Sequence, residues 1–442
     1  MIQPRTLKGF RDYLPAAMIP REQLMQTARE VFRSFGFAPI DTPTLEHLEI
    51  LTGKGSDETD RQLYSFEDNG GRPVGMRFDL TVPLARFAAQ HIGTLGTPFK
   101  RYHIAPVWRG EKPQEGRYRE FVQCDFDTIG TTSELADIEA VCVIDALLRA
   151  IGIDAFTISI NNRAILTGLL ESLGLADKTT PVLRSLDKLG KIGREKTANE
   201  MVESAGVTAE QSDAVLRLAE CDGDAESILA SLPEITGGNE TAAAGIERLT
   251  QIYRGALASG VSPDRLKIDV SIARGLDYYT GVIFETTLDE LPGIGSVCSG
   301  GRYDNLAGLY TKQHLPGIGA SLGLDRLLAA LESLGRLSGV SKPCAVFVPF
   351  FDKGHRDDYL KLASQLRDAG IGTEVYPEPK KLGQQLKYAD SQGFAVALIA
   401  GGNEWEAGTV QVKTLATKES QDVAYSHDSP HALIEAIRAA TS

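Results

Sequence analysis

Nowhere in the 442 residues is there an unbroken apolar run of about 18, so no membrane-spanning helix is expected. Cysteine is scarce: Cys124, Cys142, Cys221, Cys298 and Cys344 are scattered, odd in number, and form no C-x-x-C pair. This argues against a disulfide or zinc framework and favours reduced thiols in a cytoplasmic protein. The opening residues, Met1-Ile2-Gln3-Pro4-Arg5, lack the apolar core of a secretory signal. Positive charge is in deficit as well. A net charge of −13 repels phosphate on average and argues against non-specific nucleic-acid binding. No Ser/His/Asp set, metal-ligand cluster or obvious nucleophile stands out.

What the chain does contain is a globular balance, 42% apolar and 24% charged, over a length sufficient for two or three domains. Its focus is Arg274-Gly275-Leu276-Asp277-Tyr278-Tyr279-Thr280-Gly281. Upstream, Ile268, Val270 and Ile272 alternate with Asp269, Ser271 and Ala273, and downstream Val282-Ile283-Phe284 leads into Thr286-Thr287. Period-two alternation on both sides predicts two half-buried strands joined through the segment. An Arg, an Asp and two adjacent Tyr are costly to bury without partners. A pocket for a small polar ligand fits, with a carboxylate or phosphate for Arg274 and a ring or amine for Tyr278 and Tyr279. So does a strand whose tyrosines fill core and whose arginine pairs with an acid. These residues alone leave both readings open.

Earlier in the chain, helical spacing runs through Leu24, Ala28, Val31, Phe32 and Phe35 to Gly36. A short strand is expected over 37–42 and a helix over 45–51. Asp79-Leu80-Thr81-Val82-Pro83 ends a strand and opens a helix, with Thr81 the expected N-cap and Asp79 either cap support or ligand. Phe99 to Trp108 reads as a strand, Arg109 to Gly116 as a charged loop, and Tyr118 to Phe126 as the return strand. Beyond Phe121, Gln123, Asp125 and Asp127 share a face, which either meets water or lines a polar pocket. Residues 99–119 carry six basic side chains, Lys100, Arg101, Arg109, Lys112, Arg117 and Arg119, against two acids, Glu111 and Glu115.

Residues 164–260 are helical in pattern, with few aromatics and no strand signal, and form an inserted unit. Their basic side chains Lys188, Lys191, Arg194 and Lys196 read as a solvated helix face. Cys298 to Asp304 holds paired glycines beside Arg302-Tyr303-Asp304, which allows close approach to the main chain. Gly317 to Arg326 is a Gly-rich strand passing into an amphipathic helix, with Arg326 near an N-terminus that favours anions. After a linker at 335–342, strands and helices alternate in a separate α/β unit without a Walker-type or G-x-G-x-x-G loop. Three arginines at element ends (Arg109, Arg274, Arg326) suit carboxylate and phosphate, while Asp79, Gln123 and Asp127 suit an ammonium and a polar ring. Together they describe a site where a small zwitterion meets a polyphosphate.

At this point the motifs become specific. Arg274-Gly-Leu-Asp-Tyr-Tyr-Thr-Gly281 and Ser299-Gly-Gly-Arg-Tyr-Asp304 resemble the two signatures of histidyl-tRNA synthetases. Trp108-Arg109-Gly110-Glu111, Gly116-Arg-Tyr-Arg-Glu-Phe121 and Gln123-Cys-Asp-Phe-Asp127 resemble class II motif 2. Gly319 to Arg326 resembles motif 3, the N-terminal helix with Pro39 to Pro43 motif 1, and Asp79-Leu80-Thr81 the amino-acid-site element. The resemblance spans nearly the whole chain. It implies an α+β catalytic core with a mostly antiparallel sheet (1–163 and 261–335), a helical insertion (164–260) and an α/β anticodon-binding domain (343–442).

The resemblance also implies roles. Arg109 and Arg326 would bind ATP phosphates, with Glu111 in the same site and Arg117 towards the γ-phosphate. Arg274 would sit by the α-phosphate and the amino-acid carboxylate as the catalytic cation. Asp79, Leu80, Thr81, Gln123 and Asp127 would hold L-histidine, with Tyr278 and Tyr279 closing its ring pocket. Mg²⁺ would accompany ATP, with no metal site built from the protein itself. The partners implied are tRNA(His), histidine, ATP and a second copy of the chain in a cytoplasmic homodimer, with no membrane. Asp at 79 and 127 departs from members that carry Glu there. The nearest rival is the non-catalytic regulatory subunit of ATP phosphoribosyltransferase, which lacks the C-terminal domain and typically the arginine of the first signature.

Overall fold

The computed structural model describes residues 1–52, 57–114, 116–272, 278–337 and 342–441. Contacts divide the chain into two units, Met1–Arg11 with Gln23–Arg336 and Asp12–Glu22 with Leu337–Ser442. The larger unit holds β1 (Ala38–Pro39), β2 (Leu45–His47), β3 (Ser65–Glu67), β4 (Pro73–Met76), β5 (Phe99–Trp108) and β6 (Glu120–Ile129). It continues with β7 (Phe156–Asn162), β8 (Leu266–Ile268), β9 (Val282–Leu288), β10 (Cys298–Arg302) and β11 (Gly317–Gly323). Strands β2, β4 and β3 form a small antiparallel sheet. The remaining eight form one sheet in the order β1-β5-β6-β11-β10-β9-β7-β8, antiparallel except for the pairs at its two edges.

The β5–β6 ladder explains how the sheet sorts its residues. Tyr102 faces Phe126 and Ile104 faces Cys124, while Arg101 faces Asp127 and His103 faces Asp125. Alternation therefore puts the apolar set on one side and the charged set on the other. On the apolar side Phe32, from the helix Pro15–Ser34, packs on Tyr102 and Phe126 with ring centroids 5.7 and 5.4 Å away. The polar row of Gln123, Asp125 and Asp127 lies buried beneath the opposite side. Its side chains line a polar interior and do not meet water.

Three local expectations need correction. The alternation upstream of residue 274 does not continue as strand, because β8 stops at Ile268 and the Asp269 carboxylate accepts from the Ser271 N–H and hydroxyl, closing a turn. Moreover β8 and β9 are not neighbours, since β7 lies between them. The segment 45–51 is split, its first three residues pairing with β4 and only Leu48–Thr52 coiling. The strand foreseen over 37–42 shrinks to two residues, parallel to β5 at Arg101 and Tyr102.

Between β7 and β8 the chain is helical throughout, from Arg163–Ser172 to Glu240–Ala258. This stretch falls within the larger unit. Two members of its basic patch are ion-paired, Lys188 with Glu200 and Arg194 with Asp213 and Glu220. The smaller unit carries β12 (Val346–Val348), β13 (Thr373–Val375), β14 (Val396–Ile399), β15 (Thr409–Thr414) and β16 (Ser420–Ala424) in the order β13-β12-β14-β15-β16. Helices including Arg356–Asp368 and His431–Thr441 bury Leu362, Leu366, Leu433 and Ile437 against it. Among the described residues no helix is long and apolar enough to cross a membrane.

Candidate active site

Strand β11 runs into the helix Leu324–Ser333, so Arg326 stands in the first helical turn. The N-cap is Gly323, which offers no side chain to the free N–H groups of that turn. Asp325 points inward and accepts the Val122 N–H at 2.7 Å, which pins the helix to β6. Arg326 itself donates to the Ser296 carbonyl and lines a pocket with Arg109, Arg117, Glu111, Phe121 and Gln123. The pocket encloses about 610 Å³, open solvent at its mouth included.

Arg109, at the end of β5, lies 4.4 Å over the Phe78 ring and 5.1 Å over the Phe121 ring, and its Nε donates to the Phe78 carbonyl at 3.2 Å. Two aromatic faces and a carbonyl fix where its fork points. Burial and the like charges of Arg117 and Arg109 hold the Arg326 guanidinium below its ordinary pKa, with Glu111 and Glu285 opposing. Three guanidinium groups repelling one another around one hollow is an arrangement that a polyanion relieves.

Next to this pocket lies a cluster of buried acids, one of which, Asp79, feels the charge of Arg109. Asp79, Asp125 and Asp127 are each buried, and burial raises the pKa of all three. The cation among them is Arg101, fully buried, its Nη2 2.6 Å from Asp127 and 4.0 Å from Asp125 and donating to the Leu80 carbonyl at 3.3 Å. Tyr303 donates its hydroxyl to Asp127, and Tyr278 donates to Asp79 at 3.4 Å. Tyr278 meets Tyr279 and Tyr303 edge-on, with centroids 5.2 and 6.0 Å apart. A side chain on Gly319 would run into the Asp127 carboxylate and one on Gly317 into the Tyr303 ring, so the glycines of β11 let these polar groups lie flat on the sheet. Among the described residues three carboxyls share one buried guanidinium, and a cationic group of a ligand would favour their ionised forms.

Most of the residues singled out from the sequence fall around these two hollows. Arg109, Glu111, Arg117, Arg326 and Gln123 line the first, while Asp79, Asp127, Tyr278 and Tyr279 build the acidic cluster. Arg274 lies outside the described residues. Leu80 does not face the hollow. It is fully buried against Ala105 and Val107, and contributes its carbonyl to Arg101. Thr81 is not the N-cap, because Leu80 occupies that position and the Asp79 carboxylate accepts the Thr81 and Val82 N–H groups at 3.0 and 2.8 Å. Asp79 therefore caps the helix and faces Tyr278 at once. Sequence reasoning missed Arg101 and Ser321 as parts of the site. The signal was the alternation of β5, which puts Arg101 and His103 on one face, but the long loop to β6 leaves the hairpin register undetermined.

Comparison with known proteins gives a consistent result. A family model described as Histidyl-tRNA synthetase matches residues 9–327, and one described as Anticodon binding domain matches 344–428. The chain is similar to a histidine–tRNA ligase of Rhodopirellula baltica, 98% identical over 442 residues and covering all of both chains. It is 47% identical over 419 residues to a histidine–tRNA ligase of Wolinella succinogenes, with 94% of each chain covered. A solved histidyl-tRNA synthetase from Nostoc sp. PCC 7120 superimposes with a TM-score of 0.89 at 34% identity, over 99% of this chain and 100% of that one.

Proposed function

The chain belongs to the histidyl-tRNA synthetase family and is a histidine–tRNA ligase, and from that premise we propose how its residues divide the work. Histidine lies in the acidic hollow. Its α-ammonium is taken by Asp79 and Gln123, its imidazole by Asp127 among Tyr278, Tyr279 and Tyr303, with Thr81 supporting Tyr278. ATP occupies the arginine-lined pocket, its phosphates on Arg109, Arg117 and Arg326. The substrate carboxylate is already ionised at neutral pH and attacks the α-phosphorus in line. Pyrophosphate leaves with the electron pair of the broken P–O bond, and histidyl-adenylate remains. The protein's task is alignment and charge neutralisation. Arg274 supplies the positive charge at the α-phosphate. In the second step the terminal adenosine hydroxyl of tRNA(His) attacks the histidyl carbonyl and AMP departs.

ATP enters as its magnesium complex. Glu111 is the carboxylate among the pocket-lining residues, and a hard oxygen donor beside phosphate suits that ion. When bound, Mg²⁺ would screen the phosphate charge. We assign residues 1–163 and 261–335 to the catalytic core, 164–260 to a helical insertion and 343–442 to anticodon reading, in a cytoplasmic homodimer built through motif 1. The observation that carries this reading is the convergence of Arg109, Arg117 and Arg326 on one pocket whose wall includes Gln123.

The test is histidine-dependent ATP–pyrophosphate exchange. We expect exchange in the wild type and its loss by at least about a hundredfold in Arg274→Ala with folding retained. Exchange undiminished in that variant removes Arg274 from the mechanism, and no exchange in the wild type returns the chain to a regulatory, non-catalytic relative.

A further inference from the structure

Gln123 lines the arginine pocket and bonds to Ser321, which faces the acidic cluster, and the chemistry it offers depends on which way its amide is turned. Its Nε2 donates to Ser321 Oγ at 2.8 Å, and its Oε1 is buried with no partner among the described residues. An amide can be turned over at no covalent cost, so something must decide this orientation. Ser321 sits opposite Asp125 in the β6–β11 ladder, so its hydroxyl and that carboxyl share one face of the sheet, where the hydroxyl favours the ionised form. Asp125 is 2% exposed, and its Oδ1 is likewise a buried acceptor with no partner. Once ionised, the Asp125 carboxylate can only accept, which directs the Ser321 proton towards it. The hydroxyl then has lone pairs to show Gln123, which answers with Nε2 and leaves Oε1 as the free acceptor. Burial pushes the Asp125 carboxyl up to about 7 against the pull of Arg101, 4.0 Å away, so this order holds above that pH.

We infer that Asp125 and Ser321 are positioning residues that set the polarity of the Gln123 amide, so that the site presents a carbonyl oxygen to the α-ammonium of histidine. The inference rests on the reading that Gln123 lies beside the bound amino acid. It explains why a cation is welcomed at that point and a neutral group is not. A buried oxygen left without its ammonium retains the desolvation penalty of an orphaned acceptor.

The experiment compares histidine with imidazolepropionate, the same molecule without its α-amino group, on the full-length enzyme at about pH 8, above the Asp125 transition. Ser321→Ala removes the relay. Asp125→Asn keeps the shape but puts an acceptor and a donor where only an acceptor stood, so the orientation of the Gln123 amide is no longer fixed. In each variant the KM for histidine in pyrophosphate exchange should rise about tenfold, the loss of one hydrogen bond to a charged group. Inhibition by imidazolepropionate and the KM for ATP should stay within about twofold of wild type. Ser321→Thr, which keeps the hydroxyl, should restore the histidine KM. An unchanged histidine KM in both variants, or equal weakening of histidine and imidazolepropionate, overturns the inference. Gln123→Ala separates the two levels. If it weakens histidine while Ser321→Ala does not, only the relay fails, and if it has no effect the placement of Gln123 fails with it.

Discussion

Asp125 and His103 face each other across the β5–β6 ladder and titrate in opposite senses. Burial pushes Asp125 up to about 7 from 3.8, so the folded, ligand-free chain holds a proton there that the unfolded chain releases. Its cost to stability is complete above about pH 7 and is relieved as pH falls through the window to about 4. His103, held down to about 4 from 6.5 by burial and by Arg101 and Arg77, resists protonation in the fold, so its contribution is lost as pH falls from about 6.5 to 4. Asp125→Asn should isolate the first effect. Relative to wild type the ligand-free variant should gain stability as pH rises from about 4 to 7, by up to about 1.4 kcal/mol per pH unit, in denaturant titrations. A stability difference that is flat with pH would contradict the raised carboxyl. Arg326→Ala should lower the rate of pyrophosphate exchange by about a hundredfold or more, while histidine binding by calorimetry stays intact, because the arginine lines the pocket we propose for ATP.

At the scale of elements, the helix Glu134–Ala150, the helix Glu240–Ala258 and β10 are tied through one carboxylate. Asp137, fully buried, accepts from Arg302 Nε at 3.0 Å and from Arg248 Nε at 2.7 Å, while Arg302 also reaches the Thr131 carbonyl and Asp304. Asp304 in turn accepts from the Thr280 hydroxyl, directly beside Tyr279. Asp137→Ala would leave the buried Arg302 charge short of its partner, and should cost about 3–5 kcal/mol in equilibrium unfolding. Arg248→Ala, which removes a less buried partner, should cost clearly less. This hub shows where sequence reading stops. The full extent of β5 and the strand-to-helix passage at Arg326 were legible, because periodicity is local. The Arg302–Asp137 contact spans 165 residues and no local pattern encodes it. The same holds for Arg101. Its alternation was visible, but its pairing with Asp127 depends on a register that only the folded sheet fixes. Residues 268–272 misled for a different reason: their alternation is genuine, yet Asp269 offers the backbone a turn and ends the strand.

For the whole molecule, two distinct units with separate cores, one matched by the synthetase model and the other by the anticodon-binding model, predict separable functions. A chain ending after Arg336 should retain histidine-dependent pyrophosphate exchange and lose most charging of tRNA(His), measured side by side. Light scattering should give twice the 47.8 kDa chain mass at working concentration, and a monomeric mass would remove the proposed dimer. The acidic hollow has a further consequence for the molecule at large. Among the described residues its carboxyls outnumber the guanidinium buried with them, so burial favours their protonated forms in the ligand-free protein, and an arriving ammonium favours release of those protons. A ligand present at about a hundred times its dissociation constant adds about 2.7 kcal/mol to the folded form. Histidine is then nutrient and scaffold together, and in a starved cell this chain should yield to proteases sooner than in a fed one.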